Sequence, residues 1–396
     1  MQNIFETRIK ELELALANDD LNRVSRRVMD LTHDFDCSVE HKSLSISLRE
    51  KYNIHKELGK SGNQNETIKT EYQNLISAIK NAHPILVVLN NQEEIICKAN
   101  DISKSLGSFN LQKISLQLQR GKIIGLVGEN GNGKTTLLRV LSGEISCDEG
   151  SVEFFSGNKL LNTWEEIKTE VAFIPQRIDR WWGNVFDQIS FSAAIKGIKG
   201  EQNLYATNFI IHRLGLSNFK NHSWGQLSSG YKLRVEIAKT LVWNPKVLML
   251  DEPLANLDLM AQELLLQDLK DLTASVKHPV TLILTSQQLH EVETIADTVI
   301  FLKNGRSVFN GNTNDLASLE NDYTLEIDGK FTYDELSGCL EGWKVKIEKN
   351  SLGYTILLSK NHTIKSFFSK LMDCDLELTY FRNISNSTKK LFNDKY

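Results

Sequence analysis

Residues 128–136 read GENGNGKTT, and Gly128, Gly133, Lys134 and Thr135 stand at the spacing G-x-x-x-x-G-K-[ST]. Glycines at these positions let the backbone turn its N–H groups inward around a polyphosphate. A helix opening just after them adds partial positive charge. Gly128, Glu129, Asn130, Gly131, Asn132, Gly133, Lys134, Thr135 and Thr136 are therefore candidate phosphate-cradle residues. Lys134 is placed to reach the β and γ phosphates, and the Thr135 hydroxyl to sit on Mg²⁺. The loop needs a strand before it and a helix after it; IIGLV and LLRVLSG supply them. The reading is a nucleoside triphosphate site.

A second group of chemistry-bearing residues lies in KVLMLDEPLANLD, residues 246–258. The apolar strand Val247–Leu250 ends in Asp251 and Glu252. A carboxylate at the end of a buried strand is where a nucleotide-bound Mg²⁺ needs an anchor, which is the role read for Asp251. Glu252 is placed to accept a proton from an attacking water. Before it stands LSSGYKLRVEIAKTL, residues 227–241, a serine–glycine turn opening an amphipathic helix.

These pieces in this order resemble the ATPase subunits of ABC transporters, over residues 93–319. LSSGY is similar to the family's signature LSGGQ: Ser228 and Gly230 are retained, whereas Ser229 replaces a glycine and Tyr231 a Gln or Glu. AFIPQ matches the Q-loop at Gln176, and ANLD the D-loop at Asp258. The resemblance implies that the phosphate loop of one copy faces the signature of a second, with ATP between them. Ser228 and the N–H groups at the start of its helix would cap the γ-phosphate. Gln176 would join metal and water, so that Thr135, Gln176 and Asp251 form the Mg²⁺ set. A homodimer with two competent sites follows, working with a polytopic membrane permease. Similarity of EVETIAD and the C-terminal stretch ELTYFRNISNSTKKLF to exporter-type subunits leans the direction toward export.

Two positions depart from the family. In TSQQLHEVE, Gln287 takes the place of the switch histidine, and His290 lies one helical turn further on. The family stacks an aromatic on adenine at a position where SKSLGSF places Leu106, with Phe109 the nearest aromatic. Phe109 is thus either the base-stacking residue or a core side chain.

With 396 residues the chain has room for two or three domains and a core that needs no disulfide. Its net charge of −4 argues against nucleic acid as the main ligand. Cys37, Cys97, Cys147, Cys339 and Cys374 have no paired spacing and read as reduced thiols of a cytosolic protein. No apolar run reaches the roughly 18 residues of a membrane span. Glu6, Arg8, Lys10 and Glu11 exclude a signal peptide. The expected location is cytoplasmic, peripheral on the inner face of the cell membrane through a partner.

The expected fold is α/β, a phosphate-loop ABC ATPase core with an N-terminal helical extension and a C-terminal α+β accessory domain. Residues 1–92 have helical apolar spacing at Ile4, Ile9, Leu12, Leu21, Val24, Val28 and Leu31, with a turn at Asn18–Asp20. GKSGNQNET, residues 59–67, reads as a loop before a helix over Ile68–Ala82. The extension is a hairpin packing on itself or a dimer mate, or a docking element. Residues 93–319 alternate strands and helices around the motifs. The stretch 183–225 is helix-rich and faces the permease in this family, and Trp181 or Trp182 just before it is a candidate anchor. Residues 320–396, after the turn-rich NGNTND, alternate strands and helices and read as a dimerisation or regulatory domain. Three functions remain open on these residues. The first is a transporter ATPase subunit, the second a soluble ABC ATPase acting on a macromolecular complex, and the third a module that holds ATP without hydrolysing it. The transported substrate is not legible, because the membrane subunit recognises it.

Overall fold

Helices α1 (Gln2–Ala17), α2 (Leu21–Asp34), α3 (Val39–Glu57) and α4 (Asn63–Asn81) form because their apolar residues recur on one face. Ile9, Leu12, Leu21, Val24, Val28 and Leu31 are buried together with Leu48, Ile68, Tyr72, Leu75 and Ile79 in one cluster. Asp19, in a left-handed conformation, makes the turn, and the Asp20 carboxylate caps α2 on the Arg23 N–H at 3.0 Å. The expected loop over 59–67 is shorter than read: α4 already starts at Asn63, with Glu66 favoured in its first turn by the helix dipole. Residues 58–62 lie outside the described residues. This computed structural model describes residues 2–57, 63–82, 94–313, 322–350, 353–359 and 361–383.

The chain divides into two units, residues 1–124 with 133–285 and residues 125–132 with 286–396. In the first unit, β1 (Ile95–Leu106) and β2 (Phe109–Gln119) form a hairpin closed by Gly107-Ser108. Strand β3 (Ile123–Val127), buried throughout, carries the chain into the second unit, and the phosphate loop returns it to α5 (Lys134–Leu141). Strands β4 (Glu149–Ser156) and β5 (Lys159–Leu161) complete an antiparallel sheet of order β2-β1-β4-β5. Helix α6 (Trp164–Glu170) starts with a capping box between Thr163 and Glu166 and leads into β6 (Val171–Ile174). Then come α7 (Val185–Ile195), α8 (Gly200–Arg213), α9 (Ser229–Leu241), β7 (Val247–Leu250), α10 (Leu259–Thr273) and β8 (Thr281–Ser286). Strands β6, β7 and β8 lie side by side in parallel, with Val171 opposite Val247 and Val247 opposite Thr281. β7 and β8 are buried along their whole length, which is why they read as unbroken runs instead of alternating.

In the second unit, α11 (Leu289–Glu293) precedes a hairpin of β9 (Thr298–Lys303) and β10 (Arg306–Asn312). Asn304 and Gly305 both take positive φ at its turn, as a two-residue hairpin turn requires. Asn310–Asn312 of the expected NGNTND turn are strand, and 314–315 lie outside the described residues. The C-terminal block runs β11 (Asp322–Gly329), α12 (Tyr333–Cys339), β12 (Val345–Asn350), β13 (Gly353–Ser359), α13 (Ile364–Asp373), β14 (Leu378–Asn383). All its pairings are antiparallel in the order β12-β13-β11-β14, a ferredoxin-like split βαβ arrangement. Leu325, Ile327, Leu336, Ile356, Leu358, Phe367 and Leu371 form its own core.

One expectation is corrected here. Cys339 and Cys374 form a disulfide, with Cα atoms 5.9 Å apart, where the sequence reads as five reduced thiols. Each ends a helix, and α12 and α13 bury residues in the same core, so their C-terminal ends meet. Of the remaining three, Cys37 and Cys97 are buried and free, and Cys147 is half-buried and free. Of the stretch ELTYFRNISNSTKKLF, residues 384–392 lie outside the described residues.

Candidate active site

Strand β7 ends in Asp251, whose buried carboxylate is held on both oxygens. Oδ2 accepts from the Thr135 hydroxyl at 2.7 Å, and Oδ1 from the Thr285 hydroxyl at 2.8 Å. A charge buried to this degree needs such partners. Glu252 turns the chain sharply, with a φ of +48° that a non-glycine residue takes only when its surroundings hold it there. The hold is its N–H donating to Thr285 Oγ1 at 2.7 Å. Thr285 therefore fixes both carboxylate residues from the neighbouring strand. Sequence reasoning missed it; the signal available was its place at the end of β8, opening the TSQQLHEVE string that holds Gln287.

The Glu252 carboxylate bridges two groups. Oε1 pairs with the Lys134 ammonium at 3.1 Å, and Oε2 accepts from the Gln176 amide at 2.8 Å. Lys134 is only 4% exposed, so this charge sits inside the protein. Gln176, Lys134, Thr135, Asp251 and Glu252, expected from the sequence to act together, are brought together in this unit.

At the phosphate loop, Gly131 and Gly133 take φ of +82° and +97°, and Gly133 stands at the head of α5. A Cβ at Gly133 would lie 2.5 Å from the Phe109 ring, so Phe109 packs directly on the loop's last glycine. Leu106, across the hairpin turn, is exposed. In the second unit, the Gly128 N–H donates to the Ser286 carbonyl at 3.2 Å, and a Cβ there would sit 2.6 Å from the Leu302 carbonyl oxygen. Asn132 Oδ1 accepts from the Asn304 N–H at 2.8 Å. Glu129 and Asn130 are exposed, and Thr136 is half-buried.

Ser228 is the exposed N-cap of α9, its hydroxyl accepting from the Tyr231 N–H at 3.4 Å. The Ser229 hydroxyl donates to the Asn256 carbonyl at 3.2 Å, and a Cβ at Gly230 would come within 3.0 Å of Leu257. The Tyr231 ring packs on Phe219, with centroids 3.9 Å apart. The signature turn thus abuts the stretch that ends at Asp258, itself the N-cap of α10. A cavity of about 170 Å³ between Gln176, Ser229, Lys232, Glu252 and Asn256 links this turn to the carboxylates.

Gln287 is exposed immediately after β8, and His290 is exposed on α11. Burial raises the Glu293 carboxyl, offset in part by His290. The two tryptophans separate: Trp181 lies under the Lys239 ammonium, 3.2 Å from its ring centre, while Trp182 is 82% exposed.

A buried aspartate and adjacent glutamate at a strand end, a lysine-bearing glycine loop and a capped serine turn define a phosphate-loop ATPase of the ABC class. The pattern of the family described as ABC transporter matches residues 111–255. The chain is 30% identical over 221 residues to an uncharacterised ABC transporter ATP-binding protein of Methanocaldococcus jannaschii, covering 55% of this chain and 78% of that protein. It belongs to the ATP-binding proteins of ABC transporters and is an ATPase of that family. The methionine import ATP-binding protein MetN of Bacillus subtilis is 31% identical over 211 residues, and this chain spans 61% of MetN's length and 52% of its own. Among solved structures, cbiO1 of Clostridium perfringens, described as part of the ABC transporter complex cbiONQ, has a TM-score of 0.52 at 26% identity. The likeness covers 57% of this chain and 92% of cbiO1. The lean toward export finds no support: MetN and the spermidine/putrescine relative PotA of Mesoplasma florum are both named import proteins. No helix among the described residues is long and apolar enough to cross a membrane.

Proposed function

We propose that this protein hydrolyses Mg-ATP between two of its copies and thereby drives transport through a separate membrane permease, to which it binds peripherally on the cytoplasmic side. The observation that carries the reading is Glu252, held between Lys134 and Gln176 beside the Thr135–Asp251 pair. Thr135 and Asp251 oxygens converge 2.7 Å apart, a hard-oxygen donor pair of the kind Mg²⁺ takes along with phosphates. Thr135, Asp251 and Gln176 would hold that ion, which when bound neutralises charge on the transferred phosphoryl group.

The chain's own residues do the rest. The loop from Gly128 to Thr136 offers the phosphates the Lys134 ammonium and backbone N–H groups beyond that of Gly128, which Ser286 holds. A γ-phosphate competes with Glu252 for Lys134, and a carboxylate released from that pair is free to take a proton from water. Gln176 keeps it aimed. Phe109, packed on Gly133, is the aromatic nearest the loop for the adenine. Ser228 and Gly230 of the second copy close the site over the γ-phosphate. Trp182, exposed after Gln176, is the side chain placed for the permease. We retain the division into residues 1–92, 93–319 and 320–396 as extension, ATPase core and accessory domain.

The test is association. ATP should convert Glu252→Gln protein from single copies to pairs in sedimentation, and Ser228→Arg in the same background should prevent it. An ATP-independent mass insensitive to Ser228→Arg would sink the two-copy site.

Gln287 provides a separate check. An amide donates a neutral hydrogen bond, about half as strong as a charge-assisted one. Gln287→Ala should therefore lower ATP turnover, Gln287→His should leave or raise it, and His290→Ala should do little. The reverse ranking, read by phosphate release, would make His290 the switch residue.

A further inference from the structure

The N-terminal helices meet the rest of their unit at several polar contacts, and the most buried of these centres on Asp268. This carboxylate, on α10, is 1% exposed and is shared by three arginines from three other helices. Arg26 of α2 forms an ion pair with Oδ1, Arg213 of α8 donates to the same oxygen at 2.9 Å, and Arg234 of α9 reaches Oδ2 at 3.3 Å. Around it, Arg213 also pairs with Asp30, and Arg27 joins Asp30 at 3.0 Å and Asp271 at 3.7 Å. Burial pulls the Arg213 pKa down, but Asp30 and Asp268 outweigh it and hold the guanidinium firmly charged.

The geometry of the helices makes this more than adhesion. Arg234 sits near the middle of α9, whose N-cap is Ser228; Asp268 lies in α10, whose N-cap is Asp258. The two helices are therefore tied twice. One tie is at their starts, through Ser229 and the Asn256 carbonyl; the other is further along, through Arg234 and Asp268. Two ties on rigid rods fix an angle as well as a distance. Arg26 is the extension's direct contribution to the second tie, balancing the carboxylate that orients Arg234 together with the Leu214 carbonyl. Apolar contact would hold an extension without the desolvation cost that a buried ion cluster carries.

We infer that Arg26 of the N-terminal extension is a positioning residue for ATP hydrolysis, acting through Asp268 and Arg234 to aim the Ser228 end of α9. The inference rests on the two-copy reading above, in which Ser228 serves the facing copy's nucleotide. Arg26 does not touch the nucleotide. Its loss must therefore spare ATP binding by the chain's own phosphate loop while impairing steps that need the signature turn.

The experiment uses the full chain with Arg26→Met and Arg26→Lys, each with and without Glu252→Gln. Affinity for a fluorescent ATP analogue, turnover at saturating Mg-ATP, ATP-driven association and melting temperature are measured. For Arg26→Met, analogue affinity should stay at the parent's value. Turnover should fall about ten- to a hundredfold, the scale on which remote misplacement of a reacting group is felt. Association in the Glu252→Gln background should weaken alongside, and Arg26→Lys should restore most of both. Parental turnover with only a lowered melting temperature would overturn the inference, as would turnover lost in step with nucleotide affinity. If Glu252→Gln alone fails to associate with ATP, the two-copy reading falls, while the turnover of Arg26→Met still decides for or against Arg26.

Discussion

Glu252→Gln protein is expected to turn over Mg-ATP about 10²- to 10⁴-fold more slowly than the parent, the usual contribution of a general base. That is about 3–5 kcal/mol of barrier at 1.36 kcal/mol per tenfold. The substitution keeps size and shape, and an amide oxygen still accepts the Gln176 hydrogen bond now made at 2.8 Å. The left-handed backbone is set by the N–H bond to Thr285, which the exchange does not touch. What disappears is basicity and the negative charge facing Lys134 at 3.1 Å. The Glu252 carboxylate then no longer competes with phosphate for Lys134, so ATP should bind as tightly as before or more tightly. Phosphate release in single and multiple turnover, with nucleotide retained on the filter, measures both effects. A variant hydrolysing at the parent's rate would remove Glu252 from the base role.

The grouping of Lys134, Thr135, Asp251 and Glu252 is readable in the sequence because each of its parts is local. A glycine loop between an apolar strand and a helix, or two acids ending a buried strand, declares itself within a dozen residues. Gln176 and Ser228 were legible only through the family resemblance, since a lone glutamine after a strand says nothing by itself. Thr285 was missed for a related reason. A threonine in a buried strand is ordinary, and its hold on Asp251 and Glu252 exists only because β7 and β8 are neighbours.

Pairings over long separations were the main loss. Cys339 and Cys374 meet only once α12 and α13 pack into one core, which no spacing between them announces. The strand order of the C-terminal sheet is hidden likewise: alternation marks strands but not their neighbours. The adjacent tryptophans could be separated only by the structure, which covers Trp181 with Lys239 of α9 and leaves Trp182 exposed. Least legible of all was the seat of the extension. Arg26, Arg213, Arg234 and Asp268 look like charges on four amphipathic helices, and charges on helices are usually solvated.

That buried cluster makes the second large prediction, on stability. Asp268→Asn should cost about 3–5 kcal/mol, because removing one partner of a buried ion group leaves the others uncompensated. Arg213 retains Asp30, whereas among the described residues Arg26 and Arg234 form ion pairs with Asp268 alone. For a domain of this size, each kcal/mol shifts the melting temperature by about 2–4 °C, so a fall of roughly 10 °C is expected. The reason is desolvated charge and not lost packing, and a second variant separates the two. Exchanging Arg26→Met, Arg234→Met and Asp268→Leu together removes the carboxylate with two of its three arginines, leaves Arg213 to Asp30, and fills the space with apolar atoms. Replacing buried ion partners together by apolar residues of similar volume is often neutral or stabilising. The triple variant should therefore melt well above Asp268→Asn although it carries more substitutions. Should it melt lower, packing at this junction would outweigh its electrostatics. With melting restored and turnover still low, the charges would be serving the aim of α9 and not the cohesion of the fold.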